Sequence, residues 1–181
     1  MLEEKVLIWQ LRHGSAAAFE RIYRTHKNEL LKLAAVLVAD VHTAEDIVHD
    51  VFVHVAQKRQ GIRLTGSLKG LLATAVVNRV RNAQRDGKRR SDRAEAKASG
   101  TRASVPGPEQ WAILSEQLQR LGNAMAQLPY EQREAVALHE GAEMTFTQIA
   151  RLQQVSVNTA QGRCRYGLQK LRSLLNSEAH V

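Results

Sequence analysis

A single cysteine, Cys164, an aromatic content of 4% and the lack of any long apolar run are the scarcities of this 181-residue chain. One cysteine excludes an internal disulfide and a CxxC metal knuckle. The apolar 44% is largely Ala, Leu and Val. With so few aromatics, that mixture disfavours sandwiches and barrels, which want Tyr, Phe, Trp and Thr in alternation. Nothing approaches the roughly 18 unbroken apolar residues that a membrane span requires. The acidic start at Glu3 and Glu4 lacks the charged-then-apolar layout of a signal peptide. A phosphate loop, an HExxH and a nucleophile elbow are also missing. The expectation is a soluble, cytoplasmic, all-α protein of one ordinary domain or two small ones.

What is there in excess is positive charge. Lys and Arg number 26 against 18 Asp and Glu, a net charge of +8. The excess is local. Residues 79–102 hold nine basic and three acidic groups, and residues 151–172 hold five basic and none acidic. Two separated basic zones point to a polyanion, and nucleic acid is the common one; a solvated charged face is the plainer alternative.

The segment from Asp86 to Pro108 has no large apolar residue except Val105 and reads as a flexible basic linker. It divides the chain into an N-terminal helix bundle, 1–85, and a C-terminal domain, 109–181. In the first, Ala44, Ile47, Val48, Val51, Phe52 and Val55 form one apolar helical stripe. Thr43 is its expected N-cap, with Glu45 and Asp46 in the first turn. A further helix is expected from Ser67 to Arg85, with Leu68, Leu71, Leu72, Ala75 and Val76 inward. In the second domain, helices are expected over 109–128, stopped by Pro129, over 131–139, over 145–152 and over 157–175.

The last two of these make a helix-turn-helix, whose second member normally enters the DNA major groove. Ser156 is its N-cap, and Val157, Ala160, Cys164, Leu168 and Leu171 form its inward stripe, which makes Cys164 core rather than a reactive thiol. Asn158, Thr159, Gln161, Arg163, Arg165 and Tyr166 face outward. Asn and Gln bond adenine edges, Arg reads guanine, and Thr reaches phosphate. Gly162 costs roughly 1 kcal/mol of helix propensity against Ala, which close backbone approach to DNA would explain.

Two other clusters carry chemistry. Glu45, Asp46, His49 and Asp50 gather behind the apolar stripe. They read as a solvated acidic face, an acidic docking surface for a basic partner helix, or a metal or catalytic constellation. Asn78, Arg79, Arg81, Asn82 and Arg85 end the helix that precedes the linker. Amides and guanidiniums without acids suit phosphates and unstacked bases, while a basic helix C-terminus complementing its own dipole explains only the charges.

The order Phe19–Tyr23, Ala44 to Phe52, Leu71-Leu72, Asn78 and Arg85, then Leu128-Pro129, Arg133, Gln148-Ile149-Ala150 and Val157-Asn158-Thr159 resembles the extracytoplasmic-function group of bacterial sigma factors. The resemblance covers nearly all of residues 10–175. It implies that the first domain is the second conserved sigma region and the last domain the fourth. It also implies that the acidic helix docks on the beta-prime clamp helices of core RNA polymerase. Asp46 and Asp50 match acidic positions of the group, and His49 stands where Gln is usual. Asn78 and Arg85 match residues that recognise and melt the minus-ten element. The helix-turn-helix reads the minus-thirty-five element and meets the beta flap, with Leu128, Pro129 and Arg133 matching the start of that domain. Members of the group are often held by an anti-sigma factor, though no residue here identifies one.

Besides His49, the chain departs from the group's pattern in three places. Leu71-Leu72 replaces Trp-Leu, Asn82 replaces Asp, and Ala160-Gln161-Gly162 replaces Val-Lys-Ser. The changes on the reading face mean that promoter sequence does not transfer from relatives. The expected function is a promoter-specificity subunit that binds core polymerase and promoter DNA, needs no cofactor or metal, and catalyses no reaction. The alternatives are a stand-alone dimeric helix-turn-helix regulator, which lacks an obvious dimerisation heptad, and a metal-dependent nucleic-acid enzyme built on the acidic cluster.

Overall fold

The computed structural model describes residues 2–38, 40–64, 66–94 and 116–178. Among them are eight α-helices and no strand: α1 (Leu2–Arg12), α2 (Ala16–Val38), α3 (Val41–Gln57), α4 (Leu68–Ala94), α5 (Glu116–Ala126), α6 (Tyr130–Val136), α7 (Phe146–Gln153) and α8 (Val157–Glu178). A 3-10 turn at Arg59–Gly61 follows α3, and α6 widens into a π-helical turn over Ala137–Gly141.

The N-terminal bundle is built from three long helices. All six stripe residues of α3 are buried, against Ile22, Leu30, Leu33, Ala34 and Leu37 of α2 and Leu68, Leu72, Val76, Val77 and Val80 of α4. Leu71 and Ala75, expected inward, are half-buried, and Ala73 takes a core place instead. Phe52 meets Tyr23 edge-on, with ring centroids 4.8 Å apart, and Phe19 at 6.2 Å, a geometry that aromatic quadrupoles favour. The α3 cap is Asp40, not Thr43. The Asp40 carboxylate accepts from the Thr43 backbone N–H at 2.8 Å and from its hydroxyl. An Asp and a Thr three apart both suit a cap, and the carboxylate is the stronger acceptor for a first-turn N–H. Helix α3 therefore begins earlier than expected, and Glu45 and Asp46 lie beyond its first turn.

Ser67 caps α4 by accepting from the Gly70 N–H at 3.0 Å, and Glu4 of α1 accepts from the Leu68 N–H at 3.1 Å. The helix then runs to Ala94, nine residues past Arg85. A shortage of apolar residues is not a shortage of helix propensity; Lys, Arg and Ala carry the backbone onward once a nucleus exists. The remainder of the expected linker, and the start of the helix expected from Glu109, lie outside the described residues.

In the C-terminal part, Ala124, Met125, Leu128, Ala135, Val136, Leu138, Ile149, Ala150, Ala160, Cys164 and Leu171 are buried. Helices α6 and α8 approach so closely at Gly167 that a Cβ there would stand 2.7 Å from Val136 Cγ2 and 3.2 Å from the Gln132 carbonyl oxygen. At Gly162, by contrast, the nearest atom to such a Cβ is Tyr166 Cε2 at 3.9 Å, so nothing inside the chain requires that glycine. Arg133 donates to the carbonyls of Ala126 and Leu128 at 2.9 and 3.2 Å, closing the C-terminal end of α5.

Candidate nucleic-acid and polymerase interface

Helices α7 and α8 form the expected helix-turn-helix, and its local chemistry is complete. Thr145 and Gln148 make a capping box at the start of α7. Gln154 ends α7 in the left-handed region at φ 55°, and the Val155 N–H returns to the Ala150 carbonyl at 3.0 Å. Ser156 caps α8, accepting from the Thr159 N–H at 3.0 Å while the two hydroxyls pair at 2.8 Å. Val157, expected inward, is 38% exposed at the first helical position. Ala160, Cys164 and Leu171 are buried as expected, and burial pushes the Cys164 thiol pKa up, away from thiolate reactivity.

On the outer side of α8, Asn158, Gln161 and Arg165 are exposed and share one stripe at i, i+3 and i+7. Tyr166 is 55% exposed, and the Arg165 guanidinium lies 5.0 Å from its ring centroid. Thr159 is exposed, although its hydroxyl is engaged with Ser156. Arg163 stands apart: it is half-buried and donates to Gln153 Oε1 at 2.9 Å. Beside the stripe runs a groove of about 420 Å³ lined by Phe146, His139, Cys164, Leu168, Gln169 and Arg172, among others. Its membership spans α6 to α8, so no single helical period could announce it.

The acidic cluster on α3 does not converge. Asp46 and His49 are exposed, Glu45 is half-buried with His42 4.0 Å away, and Asp50 pairs with Arg79 of α4 at 3.6 Å. Among the described residues no group of three His, Cys, Asp or Glu side chains could hold a metal ion. The geometry is that of an open acidic face, which a basic helix can meet.

The five polar residues of α4 take three directions. Asn78 lines a cavity of about 680 Å³ with His54, Ile62, Arg63, Leu71 and Thr74, between the end of α3, the 58–64 turn and α4. Arg79 turns to Asp50. Asn82 and Arg85 are exposed, whereas Arg81 reaches into the C-terminal domain. Its Nε and Nη2 donate to the two oxygens of Glu134, at 3.1 and 2.5 Å, and its Nη1 donates to the Leu152 carbonyl at 3.0 Å. Burial alone would lower the Arg81 pKa, but the Glu134 carboxylate more than offsets it and leaves it raised. Glu134 is fully buried, and sequence reasoning passed over it. Tyr130 is half-buried beside the pair, and desolvation, with the Glu134 charge second, pushes its phenol pKa up.

Both halves of the chain match known families. Residues 22–90 match Sigma-70 region 2, and residues 118–171 match Sigma-70, region 4. The chain belongs to the sigma-70 family, in its extracytoplasmic-function group. It is 29% identical over 166 residues to the RNA polymerase sigma factor CarQ of Myxococcus xanthus, covering 92% of this chain and 94% of that protein. It is 27% identical over 159 residues to the ECF RNA polymerase sigma factor SigE of Mycolicibacterium smegmatis, covering 87% of this chain and 62% of the relative. The fold is shared with RpoE of Bartonella quintana, solved in complex with the anti-sigma factor NepR, at a TM-score of 0.70 and 22% identity over 87% of this chain and 96% of that one. It is shared also with CnrH, solved with the cytosolic domain of CnrY, at a TM-score of 0.69 and 20% identity over 96% of this chain and 97% of that one. This sigma factor is thus a promoter-specificity subunit of RNA polymerase, of a kind known as non-catalytic initiation factors. No helix among the described residues is long and apolar enough to cross a membrane.

Proposed function

We propose that the two domains divide the work of promoter recognition, α1–α4 docking on core polymerase and handling the minus-ten element, and α5–α8 reading the minus-thirty-five element. The observation that carries this is the capped helix-turn-helix with Asn158, Gln161 and Arg165 on one exposed stripe. Thr159 and Tyr166 flank the stripe and contact backbone, while Arg163, tied to Gln153, positions the turn. On α4, Asn78 and Asn82 offer amides to unstacked bases, with the cavity of about 680 Å³ beside Asn78 large enough to receive one. Arg79, Arg81 and Arg85 supply phosphate contacts. The alpha-three face of Glu45, Asp46, His49 and Asp50 docks on the beta-prime clamp helices, and the C-terminal domain meets the beta flap. The partners of the solved relatives support a protein of the anti-sigma class as a further partner of this chain.

Asp46 is the cleaner probe of docking, because Asp50 also holds Arg79. Asp46→Lys is expected to abolish co-elution with bacterial core RNA polymerase in size-exclusion chromatography while leaving helix content unchanged by circular dichroism. Unchanged co-elution would remove this face from the polymerase contact. Wild-type protein running alone as a dimer beside core would point to a stand-alone regulator instead.

A further inference from the structure

Helix α1 buries Ile8 and Leu11 and packs on α2 and on the turn at Arg59–Gly61. Its opposite face is centred on Trp9, which at 60% is the most exposed large apolar side chain among the described residues. Single apolar residues on a surface need no explanation, but this one is held in place. Gly14, at φ 86°, lets the chain close the helix with two reverse hydrogen bonds. The Gly14 N–H donates to the Leu11 carbonyl at 3.0 Å, and the Ser15 N–H to the Gln10 carbonyl at 3.1 Å. That cap fixes His13, whose Nδ1 lies 2.8 Å from the Trp9 carbonyl oxygen; a carbonyl only accepts, so the proton sits on Nδ1. The imidazole then rests against the indole, with ring centroids 4.3 Å apart and planes 38° apart. One side of the indole is backed by His13, and the rest faces solvent.

The surroundings decide what this ring suits. On the helical circuit Lys5 and Arg12 flank Trp9 on one side, and Val6 and His13 on the other; all four are exposed. From Lys5 to Gly14 the chain carries no acid, and Glu4 turns away to the Leu68 N–H. Gly14 abuts the next basic element, since a Cβ there would stand 3.9 Å from Arg59 Nε. The exposed Arg59 belongs to the turn whose neighbours Lys58, Gln60 and Arg63 line the cavity of about 680 Å³ beside Asn78. An open aromatic face bracketed by cations, and continuous with that cavity, fits a polyanion that has π-faces of its own. Duplex bases are already stacked on one another, so the fit is to a single strand. An apolar protein surface seated on Trp9 would desolvate Lys5 and Arg12 without a counter-charge.

We propose that the outer face of α1 is a base-stacking platform, on which Trp9, backed by His13, receives an unpaired base of the melted promoter strand while Lys5, Arg12 and Arg59 hold its phosphates. The inference rests on the reading of the Asn78 cavity as a site for an unstacked base, and it extends the strand's path from that cavity across the 58–63 turn. The platform reads no sequence. Every base has a π-face, so its contribution is the same at every promoter and adds to whatever the cavity selects.

The test uses the full chain. The sequence holds two tryptophans, and a Trp111→Phe background leaves indole emission to report Trp9 alone. In that background a mixed-sequence 20-nucleotide DNA single strand at low salt is expected to quench the emission by about half, and the same sequence as a duplex to leave it unchanged. Trp9→Ala is expected to weaken binding of the fluorescein-labelled strand about tenfold in anisotropy titrations, with helix content unchanged by circular dichroism, and Trp9→Phe to recover most of the loss. Arg59→Gln is expected to lower the slope of log affinity against log salt by about 0.7, the share of one phosphate contact on a single strand. Emission that no strand changes, equal quenching by the duplex, or wild-type affinity in Trp9→Ala would overturn the platform. So would a Trp9→Ala protein that binds the strand normally but no longer co-elutes with core polymerase, which would give the face to a protein contact. Asn78→Ala separates this inference from the reading beneath it. Unchanged affinity beside a quenched Trp9 removes the cavity and keeps the platform, whereas lost affinity beside a silent Trp9 keeps the cavity and removes the platform.

Discussion

Two glycines on one helix have opposite meanings. At Gly167 a side chain would press into Val136 and the Gln132 carbonyl, so α6 and α8 can approach as they do only because Cβ is missing. At Gly162 there is room, and the residue weakens the helix without a compensating contact inside the chain. Gly167→Ala is therefore expected to destabilise by about 1–3 kcal/mol through overpacking, against which the gain in helix propensity is smaller. Gly162→Ala is expected to stabilise by about 0.5–1 kcal/mol. Urea denaturation of both variants reads the two signs side by side. Equal signs would mean that propensity alone governs α8. Any loss of DNA binding in the stabilised Gly162→Ala protein would assign that glycine to close approach by the nucleic acid.

At the scale of the element, α8 separates reading from support. Arg165 is exposed on the stripe of Asn158 and Gln161, whereas Arg163 is half-buried against Gln153, which itself holds Glu134. Arg165→Ala is expected to weaken binding to a cognate upstream promoter element by about 1–3 kcal/mol and to relax specificity at one position. Arg163→Ala is expected to lower the thermal midpoint of the C-terminal domain and to weaken all DNA sequences alike. Anisotropy on cognate and scrambled duplexes, with a melting curve for each variant, distinguishes the two. This division was half legible in the sequence. The period of 3.6 placed Asn158, Gln161 and Arg165 outward, as it placed the α3 stripe inward, because a helix repeats its geometry at every turn. It could not tell which outward arginine finds a partner on another helix. The cap of α3 escapes the same period: Asp40 and Thr43 both suit the position, and the Asp40 carboxylate, the stronger acceptor, takes it. The length of α4 was hidden because the search for a linker follows apolar content, which says little about a solvated basic helix.

The two halves meet through packing of α2 on α5, α6 and the π-helical turn and through ion pairs, and the ion pairs answer to pH. The Arg81–Glu134 pair could not be read from sequence, since no periodicity links single residues 53 apart on helices of different domains. The same holds for Lys69 and Glu143, 74 apart. For that second pair the titration directions are clear. The hydrogen bond to Lys69, with its charge second, lowers the Glu143 pKa from 4.5, and the hydrogen bond to Glu143 raises the Lys69 pKa from 10.5. A lowered carboxylate pKa contributes to the contact between the two halves above the unperturbed value and is lost as pH falls through the lowered one. A raised ammonium pKa contributes below 10.5 and is lost as pH climbs through the raised one. This contact is therefore expected to be firmest between these limits and to loosen on acidification below about pH 4.5. Both side chains of the pair reach solvent, so salt should weaken it further. A scattering series from pH 6 to pH 3.5, with circular dichroism on the same samples, is expected to show expansion before helix content falls. Glu143→Gln removes the titrating carboxylate and is expected to flatten the acid limb. An expansion that tracks helix loss at every pH would mean that the domains separate only by unfolding, and that the interdomain contacts hold no equilibrium of their own.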